Sequence, residues 1–434
     1  MNTITIGYEV SKSSRVSLDI MSTSREVLSS CTQYSHPGKL SYCDIPNIYI
    51  GSYIVRVTCM NSTRDTIIDR VWGSFSNGTD IAVVSCNNSL GSSAMWEFMT
   101  KKVPSTCLHI GDNIYMDNGS TTFISAHESM NMIGEDISNY DWDNIVDIFR
   151  QGYRNHWSSP HMKAILSSCC NIFIWDDHDV CDSWDQDIKL PTGWDLYSGD
   201  DMWLNIAKDT ISPRKRTIIA AMQAYCEYQL PMSLGGNHPH IPGSFSYQIG
   251  DKDIVFIDRR MHIIGDTPLV PQLYLDNDRK PDIIISTVPI FFLHPCISNS
   301  FIDWMMRNIT GIKDLHDHWI LYPDDLQSIL SITKNNTIII SGDVHMCGKT
   351  TINIKNDYNE YNILQITSSA ISSSPSPSAL LLFLKLLRKF KVNVGSYICS
   401  IKHQSWTRDN GYITFDISHT YPEINYILSS LIEV

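Results

Sequence analysis

The sequence is short of positive charge and shows no export or membrane segment. Its 33 Lys and Arg residues are outnumbered by 46 Asp and Glu residues, so the formal net charge is −13. This deficit argues against bulk nucleic-acid binding, which needs a surplus of basic side chains to neutralise phosphates. The stretch MNTITIGYEV has no basic region, apolar core or twin arginine, so neither a signal peptide nor a transmembrane segment is expected.

The cysteines show no pattern of a disulfide framework. There are twelve, without a CxxC pair or a regular spacing, and Cys169 and Cys170 are adjacent. We therefore expect a reduced, intracellular chain in the cytoplasm. A G-x-S-x-G sequence is also missing, which excludes a serine nucleophile on a nucleophile elbow.

The 434 residues divide into two parts of different character. Residues 1–77 contain short alternating runs separated by Ser, Gly, Pro and Asn turns, a pattern that predicts a small immunoglobulin- or fibronectin-like β-sandwich. No cluster of acids or histidines follows these runs. We interpret this part as a structural or binding module whose partner the sequence does not identify.

Residues 78–434 alternate apolar, strand-like runs with longer stretches compatible with helices. Continuous apolar runs are typical of strands covered on both faces, so we predict an α/β domain of two sheets flanked by helices. The clearest helix is predicted over residues 210–229, with Pro213 near its first turn. The predicted strands are 80–86, 107–112, 171–177, 253–260, 282–289, 337–345, 363–367 and 412–417.

The segment ALLLFLKLLRKFKV, residues 379–392, follows a loop rich in Ser and Pro. It is too short to cross a membrane, and it carries Lys385, Arg388, Lys389 and Lys391. One interpretation is a surface helix with a broad apolar face. The other is an interfacial helix that contacts anionic lipid or a protein partner.

Potential metal ligands follow several of the predicted strands. In open α/β sheets, sites form beyond the carboxyl ends of the strands, so these side chains could meet in one crevice. The candidates are Cys86, Asp112, Tyr115, Asp176, Asp177, His178, Asp179, Asp343 and His345.

These residue types fit hydrolysis assisted by two or more metal ions. A carboxylate such as Asp112 could bridge two cations that activate a water for attack on phosphorus. His178 could stabilise or protonate the leaving oxygen. A thiolate such as Cys86 beside hard oxygen ligands suggests iron rather than magnesium alone.

Residues 80–418 resemble the PhoD-like alkaline phosphatase and phosphodiesterase family of metallophosphoesterases. The resemblance depends on an ordered set of motifs rather than on any single one. These are SCNN, HIGDNIYMD, IWDDHDVCDSW, FIDRR, DIIISTVPI, ISGDVH, QITSSAIS and HQSWTRDNGYITFDI.

This resemblance implies a four-layer core with metals between two mixed sheets, preceded by the N-terminal sandwich. It implies hydrolysis of phosphomonoesters or phosphodiesters at a site similar to that of purple acid phosphatases. Iron and calcium are the metals implied, with manganese or zinc as alternatives. The implied iron ligands are Cys86, Asp112 and Tyr115, with Asp112 bridging.

The remaining roles also come from the resemblance. Asp177, Asp343 and His345 would complete the metal cluster, and His178 would lie next to the leaving group. Arg260 would face the substrate, where its planar fork suits phosphate oxygens. Asp176 and Asp179 are expected to cap, to pair or to orient His178 instead of binding metal.

Two other functions stay open at this point. The chain could be a catalytically silent scaffold or binding protein on the same fold. It could also be a membrane-associated esterase directed at phospholipids, with residues 379–392 at the membrane. The natural substrate and the oligomeric state are not indicated by the sequence.

Overall fold

The structure is a computed structural model that describes most of the chain. Secondary structure is therefore reported for these residues only. The described residues are 3–10, 13–22, 24, 26–35, 41–46, 54–59, 68–74, 79–117, 142–182, 189–190, 202–208, 213–234, 242–276, 279–298, 318–419 and 422–432.

The N-terminal part contains two antiparallel sheets of three strands each. Their strand orders are β4-β1-β6 and β3-β2-β5. Their packing as a sandwich, and the boundary at residue 77, stay predictions. The strands are Thr3–Val10 (β1), Ser14–Met21 (β2), Val27–Ser35 (β3), Ser41–Pro46 (β4), Ile54–Cys59 (β5) and Ile68–Ser74 (β6).

A disulfide joins Cys31 of β3 to Cys43 of β4. The expectation of a fully reduced chain is therefore wrong for this pair. The two cysteines lie twelve residues apart on strands of different sheets, and their Cα atoms are 6.8 Å apart. Only the fold brings them together, and the sequence spacing alone does not show this. The cytoplasmic location stays a prediction.

A sheet of eight strands forms the larger half of the remaining structure. Its order is β10-β11-β12-β13-β15-β14-β17-β16, with parallel pairing from β11 to β15. The strands are Phe245–Ile249 (β10), Lys252–Ile257 (β11), Ile283–Ser286 (β12), Ile338–Ser341 (β13), Cys347–Lys355 (β14), Glu360–Thr367 (β15), Lys389–Val394 (β16) and Tyr397–Thr407 (β17).

The second sheet of this part has five strands in the order β19-β18-β7-β8-β9. The pairs β7-β8 and β8-β9 are parallel, so their carboxyl ends lie at one edge. The strands are Asp80–Val84 (β7), Thr106–Ile110 (β8), Cys170–Ile174 (β9), Gly411–Asp416 (β18) and Ile424–Leu428 (β19).

Helices connect many of these strands, and several begin with proline. Pro160 and Pro323 occupy the first helical position, where the missing N–H group costs no hydrogen bond. The helices are Ala94–Lys101 (α1), Trp142–Trp157 (α2), Pro160–Ser168 (α3), Met202–Lys208 (α4), Pro213–Tyr228 (α5), Leu230–Leu234 (α6), Arg259–Gly265 (α7), Gln272–Asp276 (α8), Pro323–Ser331 (α9) and Ser378–Leu386 (α10).

The strands predicted from the sequence are present, and most of them end earlier than predicted. For example, the run over 337–345 yields a strand only from Ile338 to Ser341. The acidic and histidine residues at the ends of the runs lie beyond the strands, in the connecting turns. The predicted helix over 210–229 is confirmed as α5.

The helix predicted over residues 379–392 is wrong in its second half. Helix α10 ends at Leu386, and Lys389–Val394 form β16 instead. In β16, Phe390 and Val394 are buried while Lys389 and Lys391 are exposed. The alternation of basic and apolar residues in KFKV suits a strand, and it outweighed the helical character of the leucines before it.

The large sheet is covered on both faces, as its apolar runs indicate. On one face, Ile285 and Ile340 share a hydrophobic cluster with residues of the five-stranded sheet, such as Leu108. On the other face, Ile284 and Ile339 pack in a cluster with α9. The part of the chain after the N-terminal sheets is therefore a mixed α/β structure with two sheets, and the four-layer arrangement stays a prediction.

The described helices include none that is both long enough and apolar enough to cross a membrane.

Strand β13 carries the chain to Asp343 and His345, so its packing should matter for stability. We expect Ile340→Ala to lower the free energy of unfolding by about 2–5 kcal/mol, because the side chain is fully buried. Ile338→Ala is the matched control, since Ile338 lies on the same strand and is only partly buried. Urea denaturation of both variants measures the difference, and equal losses would contradict this packing.

Candidate metal centre

Side chains that follow four strands meet in one buried cluster. Cys86 follows β7, Asp112 follows β8, Asp177 follows β9, and Asp343 and His345 follow β13. The ligand atoms fall into three groups whose members lie within 4.8 Å of one another. The groups are Cys86 with Asp112 and His345, Asp112 with Asp177 and His178, and Asp176 with Asp177 and Asp343.

The backbone at several of these positions adopts a conformation that side chains rarely take. Cys86, Asp112, Asp343 and His345 have φ angles of 54°, 50°, 66° and 50°. Residues other than glycine rarely occupy this left-handed region, and strained backbone of this kind concentrates at functional sites. The backbone at these four residues is therefore strained, and this conformation directs their side chains into the cluster.

A glycine allows the end of β8 to approach its neighbours. Gly111 has a φ of 95°, and a Cβ atom there would lie 2.9 Å from the Cβ of Asp176 and 3.1 Å from that of Thr287. Any side chain would push this turn away from the ends of β9 and β12. The glycine of the GDNIY motif therefore positions Asp112, which follows it directly.

Tyr115 and His345 form one side of the cluster. The Tyr115 hydroxyl donates to Oδ2 of Asp112 at 3.2 Å and lies 3.1 Å from Nε2 of His345. Nδ1 of His345 lies 2.6 Å from the carbonyl oxygen of Ser374, so this nitrogen carries a proton and donates it. The unprotonated Nε2 of the neutral ring then faces the cluster, as a metal ligand must.

The acidic side of the cluster places negative charges close together away from water. Burial raises the pKa of Asp112 well above its usual value, and Asp177 is among the carboxylates that raise it further, although His178 opposes them. Burial also raises the pKa of the Cys86 thiol, again with help from neighbouring carboxylates. Such a donor set fits bound cations, because they offset both the burial and the mutual repulsion of these groups.

His178 is held in place by a residue that the sequence analysis did not assign. Nδ1 of His178 lies 2.7 and 2.9 Å from the two carboxylate oxygens of Asp117. Asp117 in turn accepts a hydrogen bond from the backbone N–H of Asp182 at 2.9 Å. The His178 ring stacks on Tyr115 with 4.2 Å between ring centroids. Asp117 closes the motif HIGDNIYMD, and that position is the signal that could have identified it.

The charge state of His178 follows from these neighbours. Burial lowers the pKa of His178, but the surrounding carboxylates, Asp177 first, outweigh burial and raise it well above its usual value. The His178 side chain keeps 24% of its surface exposed, whereas Asp177 keeps only 5%. His178 therefore faces solvent more than Asp177 does, as do the partly exposed Tyr115 and His345.

Asp179 organises the backbone around the cluster, as expected for a capping residue. Its Oδ2 accepts from the backbone N–H of Asp176 at 3.0 Å and of Asn113 at 3.2 Å. Its Oδ1 accepts from Nε2 of Gln229 at 2.7 Å. Burial raises the pKa of Asp179 to about 7 despite these donors. The orienting of His178, however, comes from Asp117 and not from this residue.

Arg260 lies behind the cluster and not at its solvent-facing side. Its Nε is 2.5 Å from Oδ1 of Asp176, and its terminal nitrogen is 3.5 Å from Oδ1 of Asp177. Only 2% of its side chain is exposed. In this position the guanidinium offsets part of the buried negative charge, and its contact with substrate stays a prediction. Arg259 instead stacks on Tyr322, 4.2 Å from the ring centroid.

Comparison with known proteins agrees with the motifs quoted above. Residues 81–281 match the family model described as PhoD-like phosphatase. The resemblance to PhoD-like phosphatases is confirmed. The matched segment contains the PhoD-like motifs around Cys86, Asp112 and Asp177, whereas Asp343 and His345 lie beyond it.

One solved structure extends the likeness in fold over nearly the whole chain. A structure entitled "Structure of PhoD" overlays with a TM-score of 0.59 at 14% identity, covering 96% of this chain and 83% of that chain. At this identity, the match to PhoD shows a shared fold. A calcium binding mutant of Bacteroides uniformis beta-glucuronidase 2 reaches a TM-score of only 0.22 at 8% identity, over 98% of this chain and 59% of that chain. No curated protein sequence matches the chain.

The raised pKa of Asp112 generates a prediction for metal-free protein. Because burial penalises the charged carboxylate, we expect Asp112→Asn to raise the Tm of chelated protein at neutral pH. The same change should also weaken metal binding. Loss of a residue that only hydrogen-bonds to a ligand typically lowers metal affinity by about 10–100-fold, and loss of a ligand should lower it further. Metal analysis and thermal unfolding, with and without chelator, check both effects.

Asp357→Asn is the matched control for this experiment, since Asp357 is exposed in the turn between β14 and β15, at the end of β14 that is farther from His345. It should change neither the metal content nor the Tm. A fully loaded Asp112→Asn protein would show that Asp112 is not a ligand.

Proposed function

We propose that the chain is a metal-dependent phosphoesterase that hydrolyses phosphomonoesters, phosphodiesters or both. The observation that carries this proposal is the strained, buried cluster in which Cys86, Asp112, Asp343 and His345 converge from three strand ends. A fold that only needed stability would not bury several carboxylates beside one another. The PhoD-like family match supports hydrolysis as the activity.

The ligand set proposed from the sequence fits two or more cations. The resemblance implies Cys86, Asp112 and Tyr115 as the iron ligands, with Asp177, Asp343 and His345 completing the cluster. We infer that His345 would instead join the iron side, because it groups with Cys86 and Asp112. Asp177 and Asp343 would lie on the side that suits calcium, manganese or zinc. Asp112 would bridge, since it groups with Cys86 on one side and with Asp177 on the other. When bound, such cations lower the pKa of a water and withdraw charge from phosphate oxygens.

The chain itself supplies the orientation and a proton. His178 faces solvent beside Asp112, so we expect it to meet the ester oxygen that leaves. Asp117 keeps Nδ1 of His178 occupied, which directs Nε2 toward the substrate side. The stacked ring of Tyr115 limits rotation of the imidazole. His178 is thereby prepared to donate a proton to the leaving oxygen.

Arg260 would act on the substrate only through the carboxylates that it contacts. Its pairing with Asp176 and Asp177 keeps this acidic loop in place. We infer that replacing it would disturb the metal ligands more than the recognition of phosphate. A role at the substrate oxygens would require the guanidinium to leave a buried pair.

The first test is hydrolysis of a nitrophenyl phosphomonoester and of the corresponding diester by the full chain. We expect turnover that disappears with chelator and returns when iron, manganese, zinc or calcium is restored. The ratio of the two rates ranks monoester against diester. Folded, metal-loaded protein without turnover on either substrate would favour the scaffold function instead.

The second test concerns the proton donor and its partner. We expect His178→Ala to lower turnover by about 10²–10⁴-fold with metals retained, as for a lost general acid. Asp117→Asn should cost about 10–100-fold, because it disturbs orientation and leaves the ring in place. Steady-state kinetics beside metal analysis measures both.

His419→Ala serves as the control for these variants, since His419 is exposed and lies outside the cluster. Its kinetics should equal those of the unaltered chain. Loss of metal in the His178→Ala protein would instead assign His178 as a ligand.

A further inference from the structure

A basic cavity lies outside the metal centre, between α10 and the strands β16 and β17. Its volume is about 770 Å³. Buried side chains, including Trp406 and Leu384, form its floor, and exposed cationic side chains form its rim. The lining residues are Leu384, Lys385, Arg388, Lys389, Lys402, His403, Gln404 and Trp406.

The rim concentrates positive charge in a chain that is acidic as a whole. Lys385, Arg388, Lys389 and Lys402 are all exposed, although the net charge of the chain is −13. Within the part of the chain that the structure describes, no carboxylate forms an ion pair with any of these four. The cations therefore face the cavity without an internal counter-charge from the described residues.

The pairing of the two strands increases this concentration. Lys389 of β16 lies directly opposite Lys402 of β17 in the antiparallel register. Like charges in directly opposed positions destabilise a sheet, so this arrangement has a cost for the fold. An anionic ligand in the cavity would relieve the repulsion between these two lysines, and this relief would favour its binding.

Helix α10 beside the cavity is apolar on two faces. Leu380 and Leu384 pack inward, with 3% and 2% of their surface exposed. Leu382 and Leu386 point outward, with 59% and 73% exposed. They are four residues apart, so they lie on one face of the helix. An apolar outer face on a surface helix indicates that something apolar covers it.

We propose that this surface, formed by α10 and the ends of β16 and β17 at the cavity, docks on a membrane rich in anionic lipid. The cationic rim attracts the negatively charged headgroups, and a headgroup phosphate enters the cavity. Leu382 and Leu386 insert at the boundary between headgroups and acyl chains. A soluble phosphate compound would satisfy the cations but would leave these two leucines uncovered.

The position of the surface along the chain links it to the metal centre. The carbonyl oxygen of Ser374 receives the hydrogen bond from His345, and α10 begins only four residues later at Ser378. Val344 and Met346, which flank His345, pack in one hydrophobic cluster with Leu380 and Leu384. Docking would therefore hold the metal centre near the lipid surface. The proposal does not depend on phosphoesterase activity, because its readout is binding.

Co-sedimentation of the full chain with lipid vesicles tests the proposal. We expect binding to phosphatidylcholine vesicles that contain about one third phosphatidylserine, and little binding to phosphatidylcholine alone. Each cation near the membrane surface raises the partition coefficient by about fivefold. A triple variant with Lys385→Gln, Lys389→Gln and Lys402→Gln should therefore lower the partition coefficient by about 100-fold. Equal binding to both vesicle types would overturn the proposal.

The matched control removes the same charge from another surface. Lys101, Lys102 and Lys163 are exposed on and beside α1 and α3, and none of them lines the cavity. Their triple exchange to Gln should leave vesicle binding within about twofold. An equally large loss in this control would show a general charge effect and would overturn the proposal.

The leucines distinguish a membrane from a soluble anion. We expect Leu382→Ser with Leu386→Ser to lower vesicle binding at least tenfold, with an unchanged Tm because both side chains are exposed. Glycerophosphoserine serves as the soluble probe. The membrane proposal fails if glycerophosphoserine binds in the cavity while the unaltered chain binds vesicles no better than the leucine variant does. The cavity would then be a site for soluble anions.

Discussion

The constraint on which the structure depends is the repulsion among acidic groups that are buried together. Asp112 lies within ligand distance of Cys86 on one side and of Asp177 on the other, all of them almost fully buried. Charged groups of one sign are not stable there without compensation. Arg260 offsets part of this charge from behind, and bound cations would offset the rest from within. Without cations the cluster opposes stability, so metal binding would serve both stability and function.

The two sheets accommodate this cluster because their strands end before the cluster residues, which lie in the turns that follow. The central strands are buried and hydrogen-bonded to their neighbours, so the turns that follow them can hold unfavourable backbone conformations at Cys86, Asp112, Asp343 and His345. Hydrogen bonds join these turns to one another, such as that from the backbone N–H of Asn87, after β7, to the carbonyl oxygen of Asp112, after β8, at 2.8 Å. The backbone conformation of these turns thus determines where the ligand side chains lie.

Much of this organisation could be predicted from the sequence, and the reasons are local. An apolar run followed by Asp or His marks both a buried strand and the site beyond it, so the strands and the ligand candidates were found together. Asp117 was missed because its importance depends on a contact with His178, which is 61 residues away in the chain. The disulfide between Cys31 and Cys43 was missed for the same reason, since pairing of distant segments is not encoded in spacing.

Residues 379–392 show how a local sequence pattern can predict the wrong secondary structure. The leucines of α10 and the lysines of β16 looked like one amphipathic helix, yet they belong to two elements that meet at a cavity. The strand places Lys389 opposite Lys402, which a helix would not do. Cations thereby converge from a helix end and two strands onto one hollow beside an apolar helix face. A continuous helix would have spread the same residues along a line, so the end of the helix at Leu386 is what brings the cations together at the cavity.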